Sequence, residues 1–554
     1  MLGNEQLFSI NCVKNISKEN TKLYSNKYNL DLDNEEISAY TIKINDLLPS
    51  FSNVFLKEER LNLSVYPRLI INGLNPLNAF SSLCTLKGSK EGLLKGKKFV
   101  IKDSILLAGI PISCGSALIE GTIPNEDSTI VIRILENGGE ICGKSRCEDL
   151  SFSLNSFTCN SGIVMNPIDL TRTCGGSSGG SAALVAGEYV DIGIGTDAGG
   201  SIRIPAASCK IIGLKPTFGL VPITGAFGLE ATLDHLGPMA RNVKDIALFM
   251  NIAAGPDDFD QRYYTYLKYS SFSSEYLSKD EGKNDWEIQS KISYGINTIN
   301  VNYTDAYDNY VHLLKGVKNV PLKIGIFDQA VNRCEDHIKN NFNNMFIPIF
   351  KKHLSLNYGG SCEYFKDDTY DTINDVFLTI VTLGFYDLVF TNDNSLVNSF
   401  NRYNTNISKI THANKSTNSR DLGHTSKLIM ILSEYLKDKY GNKFYTHANN
   451  LRKELSDHWR KLFEQYDLII LPTITEIPPK LPNVNISIDN YISESLKNKN
   501  NTCIFNLLGY PALTIDWFRK ERNSDNFCPI MIVGKHFHDH RVIQLARYIE
   551  EISK

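Results

Sequence analysis

Two serine–glycine clusters fall close together in the segment TRTCGGSSGGSAALVAGEYVDIGIGTDAGGSIRIPAA, residues 171–207. One is Gly175-Gly176-Ser177-Ser178-Gly179-Gly180, the other Gly199-Gly200-Ser201. Glycine costs conformational entropy on folding, so such density belongs where the backbone takes unusual dihedrals or approaches another group closely. Consecutive N–H groups around such a turn form a nest that holds an anion. A hydroxyl nucleophile beside a nest is what acyl transfer requires: an attacking oxygen and an oxyanion hole. A phosphate-binding loop competes with this reading, but the segment has neither GxxxxGK[ST] nor a strand-linked GxGxxG. A flexible linker competes too, yet linkers do not run into helix-prone AALVAG or strand-like VDIGIG. On the residues alone catalysis leads, with nucleotide binding and purely structural turns left open.

A serine nucleophile needs a base. The nucleophile-elbow pattern GxSxG is not convincingly present, and His235 is the one histidine within residues 96–255. Lys102 is the better candidate. It ends the apolar run Phe99-Val100-Ile101, so the expectation is a buried lysine. Burial disfavours the ammonium and lowers its pKa, which lets a lysine act as a base near neutral pH. The bland alternative is an ordinary Lys-Asp pair at a strand end. HFHDH, residues 536–540, places three histidines at alternating positions. With no HExxH and no cysteine pair, a polar strand-to-helix turn is preferred there over a metal site.

The elements around these residues follow from periodicity. KKFVIKD reads as a strand, and DSTIVIRILENGGEICGK as helix, glycine turn and strand. PLKIGIF (321–327), DLIILP (467–472) and residues 530–533 supply further strands, and residues 503–516 a turn and a strand. Helical spacing recurs near 335–352, 425–440, 444–466 and 542–552. Strands alternating with helices predict an α/β fold with a sheet covered on both faces, mixed and mainly parallel. Residues 1–70 read as a mostly helical lead-in. The polar segment 256–320 reads as an insertion or peripheral lobe, and asparagine-rich 392–420 as a loop or a poorly ordered segment.

The segment GGSSGGSAALVAG…GTDAGGSIRIPAASCKIIGLKPTFGLVP resembles the signature of the amidase-signature family. VIKDSILLAGIP is similar to the family's lysine strand. The likeness runs from about Gly96 to Gly255 and resumes at DLIILPT, FNLLGYPALTID and IMIVGKHF. It implies the amidase-signature fold, a large mixed β-sheet flanked by α-helices, over residues 71–554. It implies Ser201 as acyl-forming nucleophile, Ser177 in a cis peptide as proton relay, and Lys102 as ultimate base. Backbone N–H groups of Ala198, Gly199, Gly200 and Ser201 would form the oxyanion hole. Ser156, in a loop resembling one that lines the acyl pocket, and Gly176 would contact substrate. Asp197 and Arg203 would brace the loop as a buried pair. No cofactor and no metal is implied.

GKSRCEDLSFS and GAFGLEATLDHLGPMARNVKDIALFMNIAAGPD resemble broad-specificity amidases acting on small aliphatic or aromatic amides. The glutaminase component of glutamyl-tRNA amidotransferases is the nearest rival, and a non-catalytic binding protein on the same fold is a further alternative. Retention of Lys102, Ser177 and Ser201 argues against the silent protein.

Bulk properties set the remaining bounds. The 554 residues, 42% apolar and 21% charged, suffice for a sizeable core. A net charge of −3 gives no global pull toward nucleic acid or an anionic membrane. The N-terminus lacks a basic region followed by an apolar one, so no signal peptide is expected. The apolar stretch Val376 to Thr391 is interrupted by polar residues and is expected to fall short of a membrane span. Twelve scattered cysteines without CxxC read as reduced thiols of a cytoplasmic protein. The expected partner is a small-molecule amide, and a homodimer is compatible with the sequence.

Overall fold

The computed structural model describes residues 14–55, 63–263, 291–293, 296–298, 301–309, 321–391, 414, 417–483, 485–498, 500–521 and 526–553. Much of the expected insertion at 256–320 and most of the asparagine-rich segment 392–420 therefore lie outside the described residues. The chain divides into two compact units, Met1–Asn62 and Leu63–Lys554.

In the first unit, α1 (Lys18–Asn26) and α2 (Asn34–Phe55) carry their own start signals. The Ser17 hydroxyl accepts from Asn20 N at 3.2 Å, and Asp33 Oδ1 accepts from the N–H groups of Glu35 and Glu36, each at 2.8 Å. Thr21 and Thr41 hydroxyls, 2.8 Å apart and buried, join the two helices.

The second unit is built on a sheet of twelve strands. In chain order these are β1 (Leu69–Ile70), β2 (Phe80–Lys87), β3 (Lys98–Lys102), β4 (Glu140–Ser145), β5 (Ile192–Asp197), β6 (Ile212–Lys215) and β7 (His235–Ala240). A separate hairpin, β8 (Lys291–Ser293) and β9 (Ile296–Thr298), intervenes before β10 (Lys323–Phe327), β11 (Ser361–Phe365), β12 (Leu468–Pro472), β13 (Ala512–Asp516) and β14 (Pro529–Gly534). The spatial order is β1-β2-β4-β3-β5-β7-β6-β13-β14-β12-β10-β11. The sheet is mixed, as expected, but not mainly parallel. Only β3 with β4 and β5, and β10 with β11 and β12, pair in parallel. The other neighbours run antiparallel: β1 with β2, β2 with β4, β7 with both β5 and β6, β6 with β13, and β14 with both β13 and β12.

Alternation decides which side each residue faces. In β12, Leu468 and Ile470 join one hydrophobic core while Ile469 and Leu471 join the other. Helices α3 (Thr129–Glu136) and α6 (Val243–Ala253) pack in the first core. Between them in sequence, α4 (Gly179–Ala186) begins within the first serine cluster and α5 (Arg203–Ser208) just after the second, and both are wholly buried. The helix Tyr370–Phe390 packs in the second core. At 21 residues and a mean hydropathy of 1.5 it meets the length and composition of a membrane span, contrary to the sequence expectation. Two-thirds of that apolar stretch is buried inside the fold, so it serves as a core helix.

Candidate active site

Lys102 is the last residue of β3, which lies between β4 and β5 with Phe99, Val100 and Ile101 all buried. The lysine itself has no solvent exposure. Its Nζ donates to Ser177 Oγ and to Thr196 Oγ1, each at 2.7 Å. Burial pushes the Lys102 pKa down from 10.5, and Cys147, Cys114, Asp197 and Asp234 only partly oppose it. The strand-end carboxylate does not pair with Lys102. Asp103 turns to Lys144, whose Nζ lies 3.2 Å from Oδ1, and takes N–H groups of Ser113 and Cys114.

Ser177 follows a cis peptide bond to Gly176, as the family likeness implied. Its carbonyl accepts from Glu148 N at 3.3 Å. Ser178 then opens helix α4, and its N–H donates to Ser201 O at 3.3 Å, tying the two serine clusters together. Ser201 is nearly sealed, at 2% exposure, and its hydroxyl makes no hydrogen bond among the described residues. No Ser177 Oγ–Ser201 Oγ hydrogen bond closes the relay in this geometry; the joined pair is Lys102 and Ser177.

The loop from Asp197 to Ser201 is braced from inside. Asp197 Oδ1 and Oδ2 take Arg203 Nη2 and Nε, both at 3.0 Å, with both residues fully buried. Burial alone would raise the Asp197 carboxyl, but Arg203, Lys215 and Asn506 outweigh it and hold it below the ordinary range. Gly200 N–H donates to Asp197 Oδ1 at 2.7 Å. This corrects the expected oxyanion hole: the Gly200 N–H is spent on the carboxylate. The N–H groups of Ala198, Gly199 and Ser201 have no acceptor among the described residues. A Cβ at Gly199 would lie 2.7 Å from Phe377 Cζ, so any larger residue there would displace that ring.

Ser156 also needs correction as a substrate contact. Its buried hydroxyl donates to Val164 O at 2.9 Å and accepts from Cys174 N at 2.8 Å, so it braces the loop before the cis peptide. Gly176 is wedged in: a Cβ would sit 3.0 Å from Asn155 N and Glu148 Cγ. Sequence reasoning missed Thr196, Thr502 and Asn506. Thr196 adjoins Asp197, and its position on the strand beside β3 is the signal that could have found it.

His235 is buried in β7, where Nδ1–H donates to Leu233 O at 2.7 Å. Burial first, then Lys215, holds its imidazole well below the usual value, so it is neutral. In HFHDH, the His536 ring stacks on Tyr510 at 4.0 Å, and the Asp539 carboxylate accepts from Thr217 N and Oγ1. Among the described residues no three His, Cys, Asp or Glu side chains are grouped to hold a metal ion. The eleven described cysteines are free thiols.

Comparison with known proteins agrees with this geometry. The family described as Amidase matches residues 78–286 and 297–543. An enantioselective amidase of Rhodococcus rhodochrous is 30% identical over 479 residues, covering 86% of this chain and 83% of the relative. A glutamyl-tRNA(Gln) amidotransferase subunit from Sulfolobus acidocaldarius is 29% identical over 480 residues, covering 84% and 87%. Among solved structures, the corresponding amidotransferase subunit from Thermotoga maritima superposes with a TM-score of 0.60 at 24% identity, covering 87% of this chain and 89% of that one. The peptide amidase of Stenotrophomonas maltophilia gives 0.59 at 21%, covering 83% of each. The chain belongs to the amidase family, the amidase-signature hydrolases that act on amide C–N bonds.

Proposed function

We propose that the chain is an amidase that hydrolyses a small carboxamide to a carboxylate and ammonia through a Ser201 acyl-enzyme, the reaction of EC 3.5.1.4. The observation that carries this reading is the sealed Lys102 with its lowered pKa and its 2.7 Å contact to Ser177. A neutral lysine amine accepts the Ser177 hydroxyl proton while Ser177 Oγ takes the proton of Ser201. Ser201 Oγ then attacks the amide carbon, and the carbonyl electrons collect on an oxyanion held by the N–H groups of Ala198, Gly199 and Ser201. Collapse of this intermediate expels ammonia, which takes up the proton returned from Lys102 through Ser177. Water, deprotonated along the same path, adds to the acyl carbon and releases the carboxylate. Gly176, beside Ser177, offers the backbone contact to the amide.

Residues 71–554 form the catalytic domain in this reading, with the segment near 256–320 peripheral to it. The enzyme works in the cytoplasm on a small amide, without nucleic acid, membrane or cofactor, as monomer or homodimer. The similarity to amidotransferase subunits at nearly the same identity as to the enantioselective amidase supports a second reading, a glutaminase feeding a partner. Ammonia release from amides of graded acyl size, with glutamine beside them, separates the two. Release from aliphatic or aromatic amides but not glutamine supports the first, and release from glutamine alone overturns it.

A further inference from the structure

This inference rests on the reading of Ser201 as the nucleophile. The backbone from Asp197 to Ser201 must present N–H groups to an anion, so its carbonyls must be held elsewhere. Four of them have a partner. Asp197 O accepts from Asn506 Nδ2 at 2.8 Å, Gly199 O from the Thr502 hydroxyl at 2.7 Å, Gly200 O from Ile204 N at 2.7 Å, and Ser201 O from Ser178 N at 3.3 Å. With Gly200 N–H on Asp197 Oδ1, both ends of the Gly199–Gly200 peptide are tied, and that unit cannot rotate.

Thr502 precedes the short helix Cys503–Leu507 and Asn506 lies within it, and Thr502 lies 299 residues from Arg203 in sequence. Arg203 locks them to the loop: Nη1 donates to Thr502 O at 2.9 Å and Nη2 to Asn506 Oδ1 at 2.6 Å. The side chains of Asp197, Arg203, Thr502 and Asn506 are all fully buried. The fit is close. Gly200 sits at φ +133°, and a Cβ there would collide with Thr502 Oγ1.

We propose that Thr502 is a positioning residue for amide hydrolysis, its hydroxyl anchoring the Gly199 carbonyl so that the Gly199 and Ser201 N–H groups stay fixed for the oxyanion. Without that hydroxyl the Gly199 carbonyl loses its donor, and the backbone that carries two of the three free N–H groups is released to shift. An oxyanion site gains its strength from donors that need no rearrangement as charge develops. Loosening the loop therefore weakens transition-state binding more than substrate binding.

The test compares the full-length wild type with Thr502→Val, of matching shape, and Thr502→Ser, which keeps the hydroxyl. Steady-state hydrolysis of an amide and the second-order rate of Ser201 labelling by a fluorophosphonate are measured on the same samples, with melting to report the folded fraction. Thr502→Val is expected to lower kcat and the labelling rate by about 10- to 100-fold, short of or equal to losing a whole donor, with KM changed by no more than about twofold. Thr502→Ser is expected to recover most of both. Equal labelling rates for wild type and Thr502→Val overturn the proposal while leaving the hydrolase reading intact. So does a Thr502→Ser rate as low as that of Val. If Thr502→Val does not fold, Thr502→Ala and the Thr502→Ser labelling rate decide, near-wild-type rates for Ala overturning the proposal. If wild type itself neither turns over amides nor labels at Ser201, the reading of Ser201 fails and the proposal falls with it.

Discussion

Lys102 and Ser177 meet through a 2.7 Å contact between Nζ and Oγ, with both residues sealed from solvent. The sign of the lysine's pKa shift dictates how activity responds to pH. In the folded protein the amine deprotonates below 10.5, so activity should rise with pH through one ionisation below that value and then level off. Lys102→Ala should lose the rate and that dependence together. Lys102→Arg should not restore it, because guanidinium stays protonated. His235, neutral and turned to Leu233 O, should leave the profile unchanged when substituted. A pH–rate profile on folded Lys102→Ala with near-normal turnover would refute the base assignment.

The same shift affects stability. Between the folded pKa and 10.5 the unfolded chain binds more protons than the folded one, so native stability should rise with pH across that window. Lys102→Met should remove this slope. Denaturant melts of both proteins at several pH values from neutral to 10.5 would check it, and parallel slopes would contradict the shift.

Ser201→Ala should abolish turnover and fluorophosphonate labelling while leaving the melting temperature close to wild type, since its hydroxyl makes no described hydrogen bond. Ser177→Ala should also lower activity sharply, yet Ser201 should remain the labelled residue. Mass spectrometry that finds the label on Ser177, Ser178 or a cysteine would sink the assignment.

Much of this site was legible because its determinants are local. Lys102 follows three apolar strand residues, the two serines sit in glycine turns, and Asp197 and Arg203 are close neighbours in sequence. What was not legible depends on backbone direction and long-range approach. Four consecutive N–H groups look equivalent in sequence, but Asp197 folds back and removes Gly200 from the set. Ser156 looked free because nothing in its neighbourhood shows that Val164 O and Cys174 N would claim its hydroxyl. Thr502 and Asn506 reach the loop only through the pairing of β6 with β13, which no short motif encodes. The antiparallel majority of the sheet was missed for the same reason. Helix–strand alternation reads as parallel crossovers, whereas β7 and β14 lie between strands that precede them in the chain. The strand β2, FSSLCTLK, escaped notice because its register shifts against β4 break a simple alternation.

Arg203 should be a stability determinant. It is fully buried, and its guanidinium holds Asp197, Asn506 and the Thr502 carbonyl. Arg203→Met would leave the Asp197 carboxylate buried without its hydrogen-bonded counter-charge, a loss on the order of 3–5 kcal/mol. Because Asp197 is held below 3.8 in the folded protein, its contribution is present above that value and lost as pH falls through the folded pKa. Wild type should therefore lose stability in acid below pH 3.8 more steeply than Arg203→Met. A variant that melts at the wild-type temperature would show that the pair contributes little.

Glu148 makes the opposite kind of prediction. Its backbone N–H holds the Ser177 carbonyl, and its carboxyl Oε2 accepts from Thr158 N at 2.8 Å and Thr158 Oγ1 at 2.6 Å. Burial pushes the carboxyl up from 4.5 to about 7, against the lowering effect of Thr158, Ser153 and Lys102. Between those two pH values the folded protein holds a proton that the unfolded chain has released. Stability should fall as pH rises from 4.5 to about 7, by at most on the order of 3 kcal/mol, and be flat with respect to this group above that. Glu148→Gln keeps a carbonyl oxygen for Thr158 and carries no charge. It should fold, flatten this segment of the stability–pH curve, and retain activity near neutral pH, because the acid is half protonated there already. Denaturant midpoints of the two proteins at about pH 5 and about pH 7 give the answer. A Glu148→Gln variant that loses as much stability between those values as wild type would show that Glu148 stays ionised, and that the Thr158 hydrogen bonds rather than burial set its charge.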